Sequence, residues 1–281
     1  MVVKAGGDRL RPLWDFTNLD ASEARLRAKL REETTDPGRA EVLTQLARIE
    51  GLHSRFDRAN ALLAEADALA GASAIARARV LLERGRVLRL AGDLPASLPL
   101  FEEAFETALL AGQDFIAADA THMAALAGDM IAWTERGLKL ARRSPAAASW
   151  IGTLLNNLGW WHAQRGEHTE ALAAYRGSLE AHERQTTYPY LREAARVGVA
   201  RALRSLGRPE EAVPLLEHAV AWAQAARHPD RGFHEELAAA YADVGGSEEA
   251  ADQKRLSRLA GLGPFAAWQS RPRPPRSDPG S

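Results

Sequence analysis

A regular beat of turn residues constrains this chain more than any other feature. Ser54, Gly92, Gly128, Gly166, Gly207 and Gly245 lie 38, 36, 38, 41 and 38 residues apart. Between them apolar residues recur at helical spacing, so each interval reads as a pair of amphipathic helices. A period of this size marks a solenoid, in which each unit buries its apolar face only against its neighbours. The sequence therefore predicts an all-α chain of about six stacked helix pairs with capping helices.

Three segments follow from this beat. Residues 1–38 read as a lead and a capping helix, residues 39–262 as the solenoid, and residues 263–281 as a Pro/Arg-rich tail, extended or disordered at its end. The lead carries Leu13-Trp14-Asp15-Phe16 in an otherwise polar stretch, which predicts a segment docked on the first helices. Asp20-Ala21-Ser22-Glu23 reads as a capping box that starts a helix running to about Glu33. Asp36-Pro37-Gly38 reads as its stop. Pro99 and Pro214 fall at one register of two repeats, early in the second helix, where a missing N–H costs least. Lys254 interrupts the last packing face, as suits a terminal cap.

Composition excludes several kinds of chemistry. The net charge is −1, which gives the whole chain no pull toward nucleic acid or membrane. Four of the 36 basic residues are Lys and the rest are Arg, the better residue for gripping a carboxylate in a fork. There is no cysteine, so disulfides and thiolate sites are excluded. No signal peptide is legible, and no apolar run approaches the ~20 residues that span a bilayer, so the expected location is the cytoplasm. A phosphate loop, a His-Glu-x-x-His motif and a nucleophile elbow are all missing. The expectation is a non-enzyme with no cofactor and no metal.

The clearest repeat reads Leu155-x-x-Leu158-Gly159, then Gly166-x4-Ala171-x3-Tyr175-x2-Ser178. This pattern resembles the tetratricopeptide repeat, which places a small residue where two helices cross and an aromatic in the gap beyond. The resemblance covers residues 39 to 260. It implies a right-handed α-α superhelix whose first (A) helices line a concave groove and whose second (B) helices form the outer wall. The long period is similar to that of kinesin light chains and of bacterial intracellular peptide receptors. Leu13-Trp14-Asp15-Phe16, Leu155-Asn156-Asn157-Leu158-Gly159-Trp160 and Ala202-Leu203-Arg204-Ser205-Leu206-Gly207 together resemble a set of bacterial tetratricopeptide proteins.

Groove positions implied by the resemblance fall two, three and six residues before the small A-helix residue and one, four and five after it. Repeat four then presents Thr153, Asn156, Asn157, Trp160, Ala163 and Gln164. Repeat five presents Ala194, Val197, Gly198, Arg201, Arg204 and Ser205, and repeat two presents Arg79, Leu82, Glu83, Arg86, Arg89 and Leu90. The degraded third repeat offers Phe115, Asp119 and His122. Asn disfavours a helix interior, so Asn156-Asn157 reads either as amides kept for a peptide backbone or as an inter-repeat hydrogen bond. Trp160 and Trp161 diverge by about 100°, so either one faces the groove and one the core, or both mainly fill core volume. Arg201 and Arg204 share a helix face and either grip a carboxylate or are balanced by Glu235 and Glu236. Some tetratricopeptide proteins clamp a C-terminal carboxylate. Asn157 matches the middle position of that clamp, but Phe115, Asp119, Ala194 and Gly198 stand where its other residues should be.

The functional expectation is a binding scaffold that holds a protein or peptide ligand of acidic character in the groove. Asn156, Asn157, Trp160 and Gln164 would order it, and Arg201, Arg204, Arg86 and Arg89 would attract it. Two alternatives stand beside this: a regulator whose solenoid changes shape on binding a peptide, and a homo-oligomer in which Trp14 and Phe16 enter another chain's groove.

Overall fold

The computed structural model describes residues 8–16, 18–184, 189–228 and 230–260; the tail expected from residue 263 lies outside them. Among the described residues there are thirteen α-helices and no strand. They fall into two compact units, one ending at Leu154 and one starting at Leu155.

The first unit opens with a 3-10 turn at Arg11–Leu13 and α1 (Leu19–Glu32). Helix α1 starts earlier than the capping box predicts. Asn18, not Asp20, is the cap, and its side chain accepts from the Ala21 N–H. Asp20 falls in the first turn, where its charge favours the helix dipole. Asp36-Pro37-Gly38 opens a helix instead of stopping one. Thr35 caps α2 (Asp36–Leu52), and Pro37 lies in the first turn, where its missing N–H has no intrahelical partner to lose.

The hairpins then follow the beat. Helix α2 pairs with α3 (Phe56–Ala70), α4 (Ala74–Leu90) with α5 (Leu94–Leu110), and α6 (Asp114–Ala127) with α7 (Met130–Arg143). Helix α8 (Trp150–Gln164) contains the unit boundary. In the second unit α9 (His168–Glu183) packs on α10 (Pro189–Ser205), which pairs with α11 (Pro209–Ala225); α12 (Arg231–Asp243) pairs with α13 (Ser247–Leu259). Pro99 and Pro214 lie inside α5 and α11 as the register predicts, and Lys254 of α13 is exposed.

Two physical requirements produce the beat. At Gly166 the backbone turns left-handed with φ of 77°, which L side chains resist. Gly128 serves a different need: its φ is −142°, and a Cβ there would lie 2.9 Å from Leu98 Cδ2. Small residues also sit where helices cross. The buried Tyr175 ring lies between α8 and α10, 2.7 Å from where a Cβ would stand on Gly159 and 2.5 Å from one on Gly198. Phe101 fills the same role against Gly85, at 2.6 Å.

Candidate ligand-binding faces

The inner face of the first unit is built from α2, α4 and α6. It carries an open recess of about 310 Å³, counting space continuous with solvent, lined in part by Gln45, Arg48, Arg79, Leu82, Glu83, Phe115 and Asp119. Five of these, Arg79, Leu82, Glu83, Phe115 and Asp119, stand at positions the groove register named. Their charges are largely matched within the unit. Arg86 bonds both Asp119 oxygens at 3.0 Å and Glu83 Oε2 at 2.8 Å, so its guanidinium is committed to the adjacent helix. Burial lowers the affinity of that guanidinium for its proton, but Asp119 and Glu83 outweigh it and raise its pKa. Burial opposes ionisation of Asp119, yet Arg86 and Arg48 hold its pKa below the usual carboxylate range. Arg89 is half-buried; with Arg86 and Arg48 it adds positive charge near His122. Burial is the main cause that pushes the His122 pKa down to about 3.

Arg48 is treated differently by its surroundings. Its Nη1 lies 3.9 Å from Glu83 Oε1 and 3.7 Å from Asp119 Oδ2, and its buried Nε has no hydrogen-bond partner. Burial, then the like charge of Arg86, lowers its pKa to about 10. The guanidinium stands 5.0 Å from the ring centre of Trp14 and 5.6 Å from that of Phe16.

Those rings belong to the lead, which lies on this face of its own chain. Trp14 is 6% exposed and donates its indole N–H to Gln45 Oε1 at 3.0 Å. Asp8 is held by Arg79, with Nη1 to Oδ2 at 3.0 Å, and Arg9 Nη1 reaches Glu33 Oε1 at 2.7 Å. Glu41 Oε2 accepts from Arg9 Nε at 3.2 Å and from Arg79 Nε at 3.0 Å. Burial raises the Asp8 pKa, but the charge and hydrogen bonds of Arg79 more than reverse this and hold it below its ordinary value. The sequence predicted docking on the first helices, and the lead does so.

In the second unit α8, α10 and α12 carry the other predicted residues. Asn157 is 2% exposed, so it does not present its amide to a ligand; a buried amide of this kind is satisfied inside the protein. Asn156 is half-buried, and its buried Oδ1 has no hydrogen-bond partner. Trp160 is half-buried and packs against the core that contains Tyr175 and Val197. Trp161 is half-buried too, with Arg165 4.6 Å above its ring, so neither indole is wholly interior. Gln164 is exposed. Arg201 bonds Glu236 Oε1 through Nε and Nη2 at 2.9 and 2.6 Å. Arg204 bonds Glu236 Oε2 at 3.0 Å and Asp243 Oδ2 at 2.8 Å. The balancing acids are therefore Glu236 and Asp243, not the Glu235 and Glu236 pair read from the sequence.

Sequence reasoning left out Glu41, Gln45 and Arg48. The signal was present: counted from the small residue Ala47, they fall six and two before it and one after it, all groove positions. Among the described residues no group of three or more His, Cys, Asp or Glu could hold a metal ion, and no helix is long and apolar enough to cross a membrane.

Stacked hairpins with small residues at each crossing and polar inner faces define an α-helical repeat protein. Residues 152–184 and 194–226 match the tetratricopeptide repeat, and the solved structures the chain resembles share its fold. The apo form of RapI is 13% identical with a TM-score of 0.66, over 89% of this chain and 74% of that one. The apo form of the quorum sensor NprR from B. thuringiensis is 12% identical with a TM-score of 0.52, over 86% and 82%. A tetratricopeptide repeat protein from Parabacteroides merdae is 17% identical with a TM-score of 0.50, over 92% and 94%. At these identities the likeness establishes the fold alone. No curated protein matches the chain in sequence.

Proposed function

We propose that the chain is a non-catalytic scaffold that binds a protein or peptide segment on the inner faces of its A helices, in the cytoplasm. The observation that carries this reading is that, of six buried side-chain atoms with no hydrogen-bond partner among the described residues, two are Arg48 Nε and Asn156 Oδ1. Both stand at groove positions. A buried polar atom without a partner costs about 1–3 kcal/mol, which a ligand supplying the missing group recovers. One is a donor and the other an acceptor, the two groups that a peptide backbone satisfies.

In this reading Arg48 meets a ligand on the first face, with Arg89 at its edge, and Asn156, Trp160 and Gln164 meet one on the second. Arg86, Arg201 and Arg204 act chiefly by fixing neighbouring A helices through their carboxylates, so an acidic ligand must compete with Asp119, Glu236 and Asp243. Affinity capture from extract of the source cells tests this, with Arg48→Gln and Asn156→Leu as controls. The expected result is one protein captured by the native chain and lost, by at least tenfold, from one or both variants at unchanged melting temperature. Equal capture by all three chains refutes the reading.

A further inference from the structure

The way the lead is held says what the first face recognises. Residues 8–16 have no regular structure beyond the 3-10 turn at Arg11–Leu13, and side chains anchor them to the repeats. The anchors form a short code. Asp8 answers Arg79, and Arg9 answers Glu33 and Glu41. Leu10 is fully buried. Trp14 supplies an N–H to Gln45 and a ring face to Arg48, and stacks on Phe16 with centroids 4.9 Å apart. Each receiving group except the Leu10 site is polar, and Arg79, Glu41 and Gln45 are all buried.

That burial fixes what any replacement must look like. Removing the lead takes Asp8 from Arg79, which keeps Glu41, and leaves the Gln45 oxygen without its indole donor. The lead's contacts therefore favour the covered face, and a segment that restores the same contacts competes best for it.

We propose that the lead is an intramolecular occupant of the ligand face of the first unit. The ligand that replaces it is a segment of a partner protein carrying a carboxylate, an aliphatic residue two positions on, and a tryptophan four further. This rests on reading the A-helix faces as ligand-binding. The tether gives the lead an effective concentration on the order of millimolar, so it masks the face from weaker segments and admits a partner that binds better. The gate is a competition between two polypeptide segments for one set of side chains. The second unit takes no part in it.

Fluorescence anisotropy of the full chain with a labelled peptide of residues 8–16 tests the exchange. The Asp8→Asn/Trp14→Ala chain, whose own lead is weakened, should bind the peptide at least tenfold more tightly than the native chain. Adding Arg79→Ala should abolish that gain, and Asn156→Leu in the second unit should leave it intact. Should the double variant fail to fold, amide hydrogen exchange of residues 8–16 in the native chain decides instead. Excess unlabelled peptide should speed that exchange, and no change at saturating peptide overturns the proposal. Equal peptide affinity of folded native and variant chains also overturns it. So does a concentration-dependent doubling of mass in the variant, which would make a second copy the occupant. Equal cellular capture by the native, Arg48→Gln and Asn156→Leu chains with intact peptide exchange would count against the broader scaffold reading and not against this one.

Discussion

Trp14 donates its indole N–H to Gln45 Oε1 at 3.0 Å, and both side chains are buried. The bond joins an irregular lead to the inner face of the first repeat. Trp14→Phe keeps an aromatic ring, smaller than the indole, and deletes the donor; leaving the acceptor unmet should cost about 1–3 kcal/mol beyond the lost volume. Gln45→Leu should cost a similar amount by stranding the indole. Because the two residues share one bond, the double variant should lose less than the sum of the singles. Urea denaturation of the four chains measures this, and strict additivity would show that the bond contributes nothing.

Tyr175 is wedged between Gly159 and Gly198, and a methyl group on Gly198 would lie 2.5 Å from its ring. Gly198→Ala should therefore destabilise the second unit by about 1–3 kcal/mol, the usual range for overpacking. Tyr175→Leu in that background should restore part of the loss by vacating the space. Thermal denaturation of both chains checks the sign of the second change.

Ser54 holds a left-handed backbone with φ of 59° at a turn where other repeats place glycine. An L side chain in that region costs roughly 1–2 kcal/mol, and glycine returns part of that as extra freedom in the unfolded chain. Ser54→Gly should stabilise the protein by about 0.5 kcal/mol. Gly166→Ala, at φ of 77°, should shift the melting temperature the opposite way.

His182 is 4% exposed, and burial lowers its pKa to about 4. The unfolded chain binds that proton near pH 6.5 and the folded chain resists it. Stability from this group is therefore full above about pH 6.5 and falls as pH drops toward 4. His182→Phe keeps a ring and removes the titration. Its melting temperature should fall less than that of the native chain between pH 7 and pH 5, and parallel losses would exclude His182 as a source of the acid sensitivity.

Local patterns carried most of the fold. The spacing of Gly92, Gly166, Gly207 and Gly245 placed four hairpin turns, because a tight turn needs φ values that glycine reaches without strain. Gly159 and Tyr175 were legible as a crossing because small and large residues must alternate where helices touch. Legibility failed at helix ends. Asp36-Pro37-Gly38 carries signals for both a stop and a start, and the Thr35 side chain made it a start.

The faces were legible as positions and not as chemistry. The register put Asn157 and Arg86 on the inner helices, yet Asn157 is buried and Arg86 is bound to Asp119, 33 residues onward. By itself the sequence determined the helices, their pairing and which side of each turns inward, since these follow from a 3.6-residue period and the φ, ψ limits of single residues. Tertiary structure alone decided which inward charges meet each other and that residues 8–16 cover the first face. Asp8 and Arg79 are 71 residues apart, and only stacked hairpins and burial in a low-dielectric surface make such a pair strong enough to choose its partner.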